Sequence, residues 1–229
     1  MDQFKKENKL ESLCNELYEV RKSREELEIS NQRQQAMMAE LEHLKYQKLL
    51  DILITDVDCS IEKFNQDDNQ FTRRSFIRNV FSFIEGNIYM LKQEILVKLR
   101  HSRLIKLEPE EILALKEESP SVDKNGKIKA ITKYVDLLSN IRVTFRYYTK
   151  IFDFKYDLDV SKNYWHIFQS SLKVRHRITH PKVESDMNVS DQELVDTYIS
   201  YFWFKQCVIN MLTLKAKAMK EEKLGEVRF

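Results

Sequence analysis

The residues best suited to chemistry lie in one short stretch, "KVRHRITHP", at positions 173–181. Within it, Arg175, His176 and His180 bring a guanidinium close to two imidazoles. A guanidinium can hold a phosphate through two parallel hydrogen bonds, and an imidazole titrates near neutral pH and can transfer a proton. These residue types at this spacing indicate phosphodiester chemistry. The alternative is that the stretch is a basic, solvated end of a helix.

A helix predicted over residues 164–179 must position this stretch. At about 100° per residue, Arg175 falls on the same side as the apolar residues Trp165, Phe168 and Leu172. An unpaired buried charge is costly, so Arg175 must meet a carboxylate, a subunit interface or a bound anion. Glu85, which lies inside the apolar run "FSFIEGNIYM", is one candidate carboxylate, unless it lies on a solvated flank.

The end of this helix is predicted from Pro181. A residue that precedes a proline is disfavoured in the α conformation, so the helix ends at about His180. On a continued helix, His180 would lie about 140° around the axis from Arg175. At a frayed end its imidazole can turn towards the same space as the guanidinium.

The motif resembles the Arg-x4–6-His signature of the HEPN superfamily, a group of small helical-bundle domains found among toxins, defence proteins and RNA-processing ribonucleases. His176 stands where that family usually has Asn, Asp or His. The order of the predicted helices is also similar, so the resemblance covers about residues 70–215.

The resemblance implies metal-independent cleavage of RNA by attack of the 2′-hydroxyl on the adjacent phosphate. His180 would act as general base or acid, Arg175 would stabilise the transition state, and His176 would orient or support them. Family members usually build this site across a two-fold dimer. We therefore expect a homodimer or higher homo-oligomer that acts on RNA as a toxin or defence effector, with an inhibitor protein as a further candidate partner. The alternative is an inactive HEPN-like module for oligomerisation or for binding protein, nucleotide or RNA.

Further basic residues are candidates for contact with the RNA backbone. They are Arg73, Arg74, Arg142, Arg146, Lys173, Arg177 and Lys182. For those at the start of the first bundle helix, a solvated helix face is the alternative. Aromatic residues alternate with the basic ones in "RVTFRYYTK" at 142–150, and we expect at least half of these rings to pack in the core rather than stack on bases.

The fold class predicted around this motif is all-α. Only 3 Gly and 3 Pro occur in 229 residues, which favours long helices with few joints. A bundle of about four main helices and a short one is predicted over residues 71–223, with long helices at 71–105, 130–152, 164–179 and 192–220. Ser190 and Glu193 predict a capping box before the last helix, and Asn125-Gly126 predicts a small loop or hairpin.

Residues 1–64 are predicted to form a separate helical arm, with a break between 64 and 71. Apolar residues there follow a heptad pattern that favours a coiled coil. They are Leu10, Leu13, Leu17, Val20, Leu27, Met38 and Leu41. A single helix packed on its own domain is the alternative.

Composition excludes several classes. The net charge is only +2, so binding to nucleic acid would need a local basic face. The three cysteines, Cys14, Cys59 and Cys207, form no CxxC pair, so neither a zinc site nor a disulfide framework is predicted. No signal peptide or apolar run of about 18 residues occurs, which predicts a cytoplasmic protein without membrane contact. No Gly-rich phosphate loop or HExxH motif occurs, and we predict no cofactor.

Overall fold

In a computed structural model the described residues form helices and one short hairpin, which confirms the all-α prediction. The structure describes residues 2–101, 106–161 and 163–226. The elements in chain order are α1 (Asp2–Gln66), α2 (Gln70–His101), α3 (Pro109–Lys116), β1 (Glu118–Val122), β2 (Ile128–Thr132), α4 (Leu137–Ile151), α5 (Asn163–Thr179), a 3-10 turn (Glu184–Met187) and α6 (Asp191–Glu226).

The chain divides into two compact units, residues 1–45 and residues 46–229. The first unit is the N-terminal part of α1. In the predicted heptad seam the Leu27 side chain is described, and it is exposed. The other seam side chains lie outside the described residues. They are Leu10, Leu13, Leu17, Val20, Met38 and Leu41. The coiled coil therefore stays a prediction.

The two compact units divide at residue 45, and a division into domains between residues 64 and 71 stays a prediction. The physical reason is that the C-terminal part of α1 packs on the bundle. Val57 is fully buried in the common core, and Leu53 approaches α2 so closely that a Cβ added at Gly86 would lie 2.4 Å from its Cδ1. The break itself is where the sequence indicated. Asn69 caps α2, because its Oδ1 accepts hydrogen bonds from the backbone N–H groups of the first turn.

The core of the second unit lies between α2, α4, α5 and α6. Its largest fully buried side chains are mostly aromatic. They include Trp165, Tyr148, Tyr201, Phe81, Phe145, Phe168 and Phe204. Two small residues, Ser171 and Ser200, let α5 and α6 approach closely, with their hydroxyl oxygens 3.0 Å apart and both side chains fully buried. This packing fixes the helix that carries the predicted motif.

The predicted helix at 130–152 begins later than expected. Residues up to Thr132 pair with β1 in an antiparallel hairpin, whose turn contains Gly126 at φ 74°. Helix α4 starts only at Leu137, where the side chain of Asp136 caps it by accepting a hydrogen bond from the Ser139 N–H at 3.0 Å. Apolar spacing predicted the helix, but the cap and the hairpin pairing decide where it begins.

The start of α6 agrees with the predicted capping box. The Glu193 N–H donates to the Ser190 hydroxyl at 3.3 Å, and the Ser190 N–H donates to the Glu193 carboxylate at 2.9 Å. Glu193 also pairs with Arg177 of α5, so this cap joins the two helices.

Candidate active site

Arg175 lies near the C-terminal end of α5 and pairs with Glu85 of α2. Its Nη2 donates to Oε1 of Glu85 at 2.6 Å. The sequence had raised Glu85 as a candidate carboxylate for this arginine, and the ion pair confirms it. The Arg175 side chain is 21% exposed and that of Glu85 is 40% exposed, so the pair lies at the border between core and solvent.

The ion pair uses only part of the donor capacity of the Arg175 guanidinium. A guanidinium carries five N–H donors, and the contact with Glu85 joins a single nitrogen to a single oxygen. No other hydrogen bond from this side chain is formed within the described part of the chain. Arg175 is therefore held in place with donors to spare, which is the arrangement that a bound anion requires.

The end of α5 is fixed by three hydrogen bonds. Arg78 of α2 donates from Nη2 to the Ile178 carbonyl at 3.0 Å. The Thr179 hydroxyl donates to the Arg175 carbonyl at 2.7 Å, and the His180 N–H donates to the His176 carbonyl at 3.0 Å. The helix ends at Thr179, close to the predicted end, and His180 follows directly. Arg78 is thus a positioning residue that the sequence analysis did not select.

His176 and His180 are both exposed, and His176 lies within electrostatic range of the ion pair and of His180. Burial lowers the pKa of His176 below its usual value of 6.5. The positive charges of Arg175 and His180 lower this pKa further, and the carboxylate of Glu85 partly offsets them. Arg175, His180 and Glu85 therefore all act on the charge of His176, and the net effect favours its neutral form.

Three of the arginines predicted to bind RNA have partners within the protein. Arg73 makes a two-point ion pair with Asp68, and it also contacts Asp191 and the Val189 carbonyl. Arg74 donates to the Met187 carbonyl at 2.9 Å. These contacts fasten the start of α2 to the loop before α6. Arg73 has little donor capacity left for a phosphate.

Arg177 has a similar structural role. Its Nη1 donates to three carbonyls of the loop that precedes α6, and its Nη2 pairs with Glu193 at 2.7 Å. The guanidinium thus holds this loop against α5, and binding of RNA by Arg177 stays a prediction. The sequence around Arg177 did not indicate this structural role, because the carbonyls that it binds lie in a separate loop.

The remaining predicted RNA-binding residues are exposed. They are Arg142, Arg146, Lys173 and Lys182. Arg142 lies over the Trp165 ring, 5.0 Å from its centroid. Of the neighbouring aromatic residues, Phe145 and Tyr148 are buried in the core, as expected for at least half of them.

A cavity of about 220 Å³ lies beside the ion pair, and the sequence analysis did not foresee it. Glu85 and Arg175 line one part of its wall, and Glu117 and Asn140 line another. Two exposed tyrosines, Tyr89 and Tyr134, also line the cavity. These residues come from α2, the end of α3, the segment after β2, and α4 and α5. No short sequence motif could have indicated a site assembled from so many elements.

Among the described residues, no group of three or more His, Cys, Asp or Glu side chains is arranged to hold a metal ion. None of the helices in the described ranges is both long and apolar enough to cross a membrane. Comparison with protein-family models, with curated proteins and with solved structures found no match for this chain. The resemblance to the HEPN superfamily therefore stays a prediction.

Proposed function

We propose that the unit formed by residues 46–229 is a HEPN-type endoribonuclease that cleaves RNA without a metal ion. One observation carries the proposal. The Arg175 guanidinium is anchored to Glu85 through one nitrogen and keeps further donors, and both it and His180 act electrostatically on the exposed imidazole of His176. An anchored cation and two proton carriers are the groups that phosphodiester transfer needs.

In the proposed reaction the 2′-hydroxyl oxygen of one ribose attacks the adjacent phosphorus. His176, whose pKa is lowered so that its neutral form is favoured, accepts the hydroxyl proton as general base. The new bond between the 2′-oxygen and phosphorus forms while the bond between phosphorus and the 5′-oxygen breaks. His180 in its protonated form gives a proton to the leaving 5′-oxygen. The products carry a 2′,3′-cyclic phosphate and a 5′-hydroxyl.

Arg175 would bind the non-bridging oxygens of the reacting phosphate. Negative charge increases on these oxygens in the transition state, so donors that are already oriented stabilise it more than the ground state. Glu85 would keep the guanidinium oriented through the ion pair. A point charge on a flexible stem, such as lysine, could not reproduce this geometry.

We further propose that two copies of the chain associate through the surface around Arg175, so that two sites face one RNA strand. The role as a cytoplasmic toxin or defence effector, and control by an inhibitor protein, belong to the same proposal. Sedimentation of the full chain at micromolar concentration tests the association. A monomer would remove the two-site arrangement but not the single-site chemistry.

A second candidate function is an inactive helical module that binds a partner or its own copy. It is favoured by the ion pair with Glu85, because an arginine whose charge is compensated within its own subunit needs no bound anion. In that case Arg175 and Glu85 would only join α5 to α2.

Cleavage of a single-stranded RNA oligonucleotide separates the two functions. His180→Ala should reduce the rate by about 10²–10⁴, the contribution typical of a general acid or base. His166→Ala is the matched control, since His166 is another exposed histidine and lies on α5, the helix that precedes His180. Equal rates for the two folded variants would exclude His180 from the reaction. The absence of any cleavage by the wild type would leave the inactive module as the better proposal.

A further inference from the structure

The side of α6 that faces away from the core carries a second set of apolar residues. The core side presents residues such as Thr197, Phe204 and Met211, which are fully buried. A surface helix normally carries polar residues on the opposite side, whereas a helix that is apolar all round is covered on both sides. On α6 the opposite side has six large apolar side chains that are between 40% and 50% exposed. They are Val195, Tyr198, Phe202, Ile209, Leu212 and Met219.

These exposed residues follow a heptad repeat, in which steps of three and four residues alternate. Lys205 and Ala216 fill the two remaining positions of the repeat, and we call the full set, from Val195 to Met219, the α6 seam. The seam continues for more than three heptads, a length that indicates a coiled coil. The surface that covers it is therefore a helix with the same repeat.

A second copy of the seam fits this requirement in antiparallel orientation. When the two-fold axis is level with Cys207, position a of every heptad lies opposite position d of the other copy, as in antiparallel coiled coils. Phe202 then lies opposite the partner's Leu212, and Val195 lies opposite the partner's Met219. A two-fold contact uses the same surface on both copies, so one sequence satisfies both sides.

The charges next to the seam favour the same orientation. Asp196, near the start of the seam, accepts a hydrogen bond from the neutral amide of Gln192 at 2.8 Å. Lys217 and Lys220, near its end, are exposed. The antiparallel arrangement brings Asp196 beside these two lysines of the other copy. A parallel arrangement would instead place like charges next to each other, which is unfavourable.

We propose that α6 is a dimerisation helix, whose seam pairs with the seam of a second copy in antiparallel orientation. The seam is about 36 Å long at a rise of about 1.5 Å per residue. Lys205, close to the two-fold axis, fixes the register, as a single polar residue does in other coiled coils. The seam lies on a different helix from Arg175, and the proposal does not depend on RNA cleavage.

Cross-linking of paired cysteines in the full chain tests both the contact and its orientation. Cys14 and Cys59 are first replaced by serine, while Cys207 is buried and stays. Val195→Cys combined with Met219→Cys should then give covalent dimers with a short bismaleimide at micromolar protein. Within one chain these two positions are about 36 Å apart, so the reagent can join them only between copies.

Val195→Cys alone is the control for orientation, and it should give almost no covalent dimer. Efficient cross-linking of this single variant would indicate a parallel contact and overturn the proposal. The absence of covalent dimers from the double variant would overturn it as well.

Two leucines provide a matched pair of variants in the double-cysteine protein. Leu212 and Leu214 are 40% and 38% exposed, but only Leu212 belongs to the seam. Leu212→Glu places a charge opposite the partner's Phe202, so affinity should fall at least about 100-fold and cross-linking should disappear. Leu214→Glu should cross-link like its parent, and circular dichroism checks that both variants are folded. Equal cross-linking of the two variants would contradict the proposal.

Other occupants of the seam give different outcomes. Wild-type protein that sediments as a monomer at micromolar concentration would overturn the proposal and leave the seam to a helix of another protein. Association that Leu212→Glu does not weaken would also overturn it, because the copies would then be held by a different surface, such as residues 1–45 or the surface around Arg175.

Discussion

Arg175 and Glu85, which lie on α5 and α2, form an ion pair with 2.6 Å between Nη2 and Oε1. The pair explains how an arginine can occupy the apolar side of a helix, since a carboxylate from the adjacent helix compensates its charge. Both side chains retain contact with solvent, so the pair contributes no more than about 1 kcal/mol to stability. Its larger effect is to fix the direction of the guanidinium.

Glu85→Gln tests this division between stability and orientation. We expect the free energy of unfolding in urea to fall by at most about 1 kcal/mol. The rate of RNA cleavage should fall about tenfold, because the amide holds the guanidinium less firmly than the carboxylate does. Glu62→Gln, at an exposed position of α1, should change neither quantity. A large loss of stability with an unchanged rate would make the pair purely structural.

The pKa of His176 should lie below 6.5, because burial and the charges of Arg175 and His180 disfavour the imidazolium. An NMR titration of the imidazole protons measures it directly. Arg175→Gln should raise this pKa by removing one of the positive charges. A wild-type value at or above 6.5 would contradict the electrostatic account and remove the reason for choosing His176 as the base.

The same shift determines a pH dependence of stability. The folded pKa is lower than the unfolded one, so the unfolded chain binds more protons in the interval between them. Stability from His176 is therefore complete above 6.5 and is lost as the pH falls from 6.5 through the folded pKa. Urea unfolding of wild type and His176→Ala across this interval measures the difference. The difference in unfolding free energy between the two proteins should be constant above pH 6.5 and should change only as the pH falls below it.

Arg177→Ala and Lys173→Ala should affect different properties, although both remove a positive charge from α5. Arg177 holds the loop before α6, so its removal should cost about 1–2 kcal/mol of unfolding free energy. Lys173 is exposed, so its removal should leave stability unchanged and weaken RNA binding a few-fold. Thermal unfolding and RNA titration at fixed salt separate the two. Weaker RNA binding by a fully stable Arg177→Ala protein would contradict the structural role and support the prediction that Arg177 binds RNA.

Deletion of residues 1–45 should leave the second unit folded. The midpoint of its thermal unfolding should be unchanged. Deletion of residues 1–64 should lower the midpoint strongly, because it removes Val57 and Leu53 from the core. Circular dichroism of the two truncated chains makes the comparison. Equal stability of both would place the boundary at residues 64–71, as the sequence alone had suggested.

The features that the sequence predicted correctly are those that depend on local patterns. Scarce glycine and proline, helical spacing of apolar residues, and the Ser190–Glu193 cap all have short-range physical causes, and each agrees with the structure. Glu85 was identified as a candidate partner of Arg175 because a charge within an apolar run needs compensation. That argument needs no knowledge of the tertiary fold.

The parts that the sequence did not predict depend on long-range contacts. Helix α4 starts later than predicted because β2 pairs with β1. Arg177 joins α5 to the loop before α6 because that loop presents its carbonyls to the guanidinium. The cavity next to Arg175 combines residues from separate elements, such as Glu117 and Asn140. A basic residue that binds RNA and one that binds backbone carbonyls have the same sequence signature.

The ends of the RNA products test the central claim most directly. Wild-type protein should cleave single-stranded RNA in excess EDTA and leave 2′,3′-cyclic phosphate and 5′-hydroxyl ends, which mass spectrometry identifies. Arg175→Ala should cleave about 10²–10³-fold more slowly, and Arg175→Lys should restore little of the rate. Cleavage that stops in EDTA, products with 5′-phosphate ends, or full activity of folded Arg175→Ala would contradict the account.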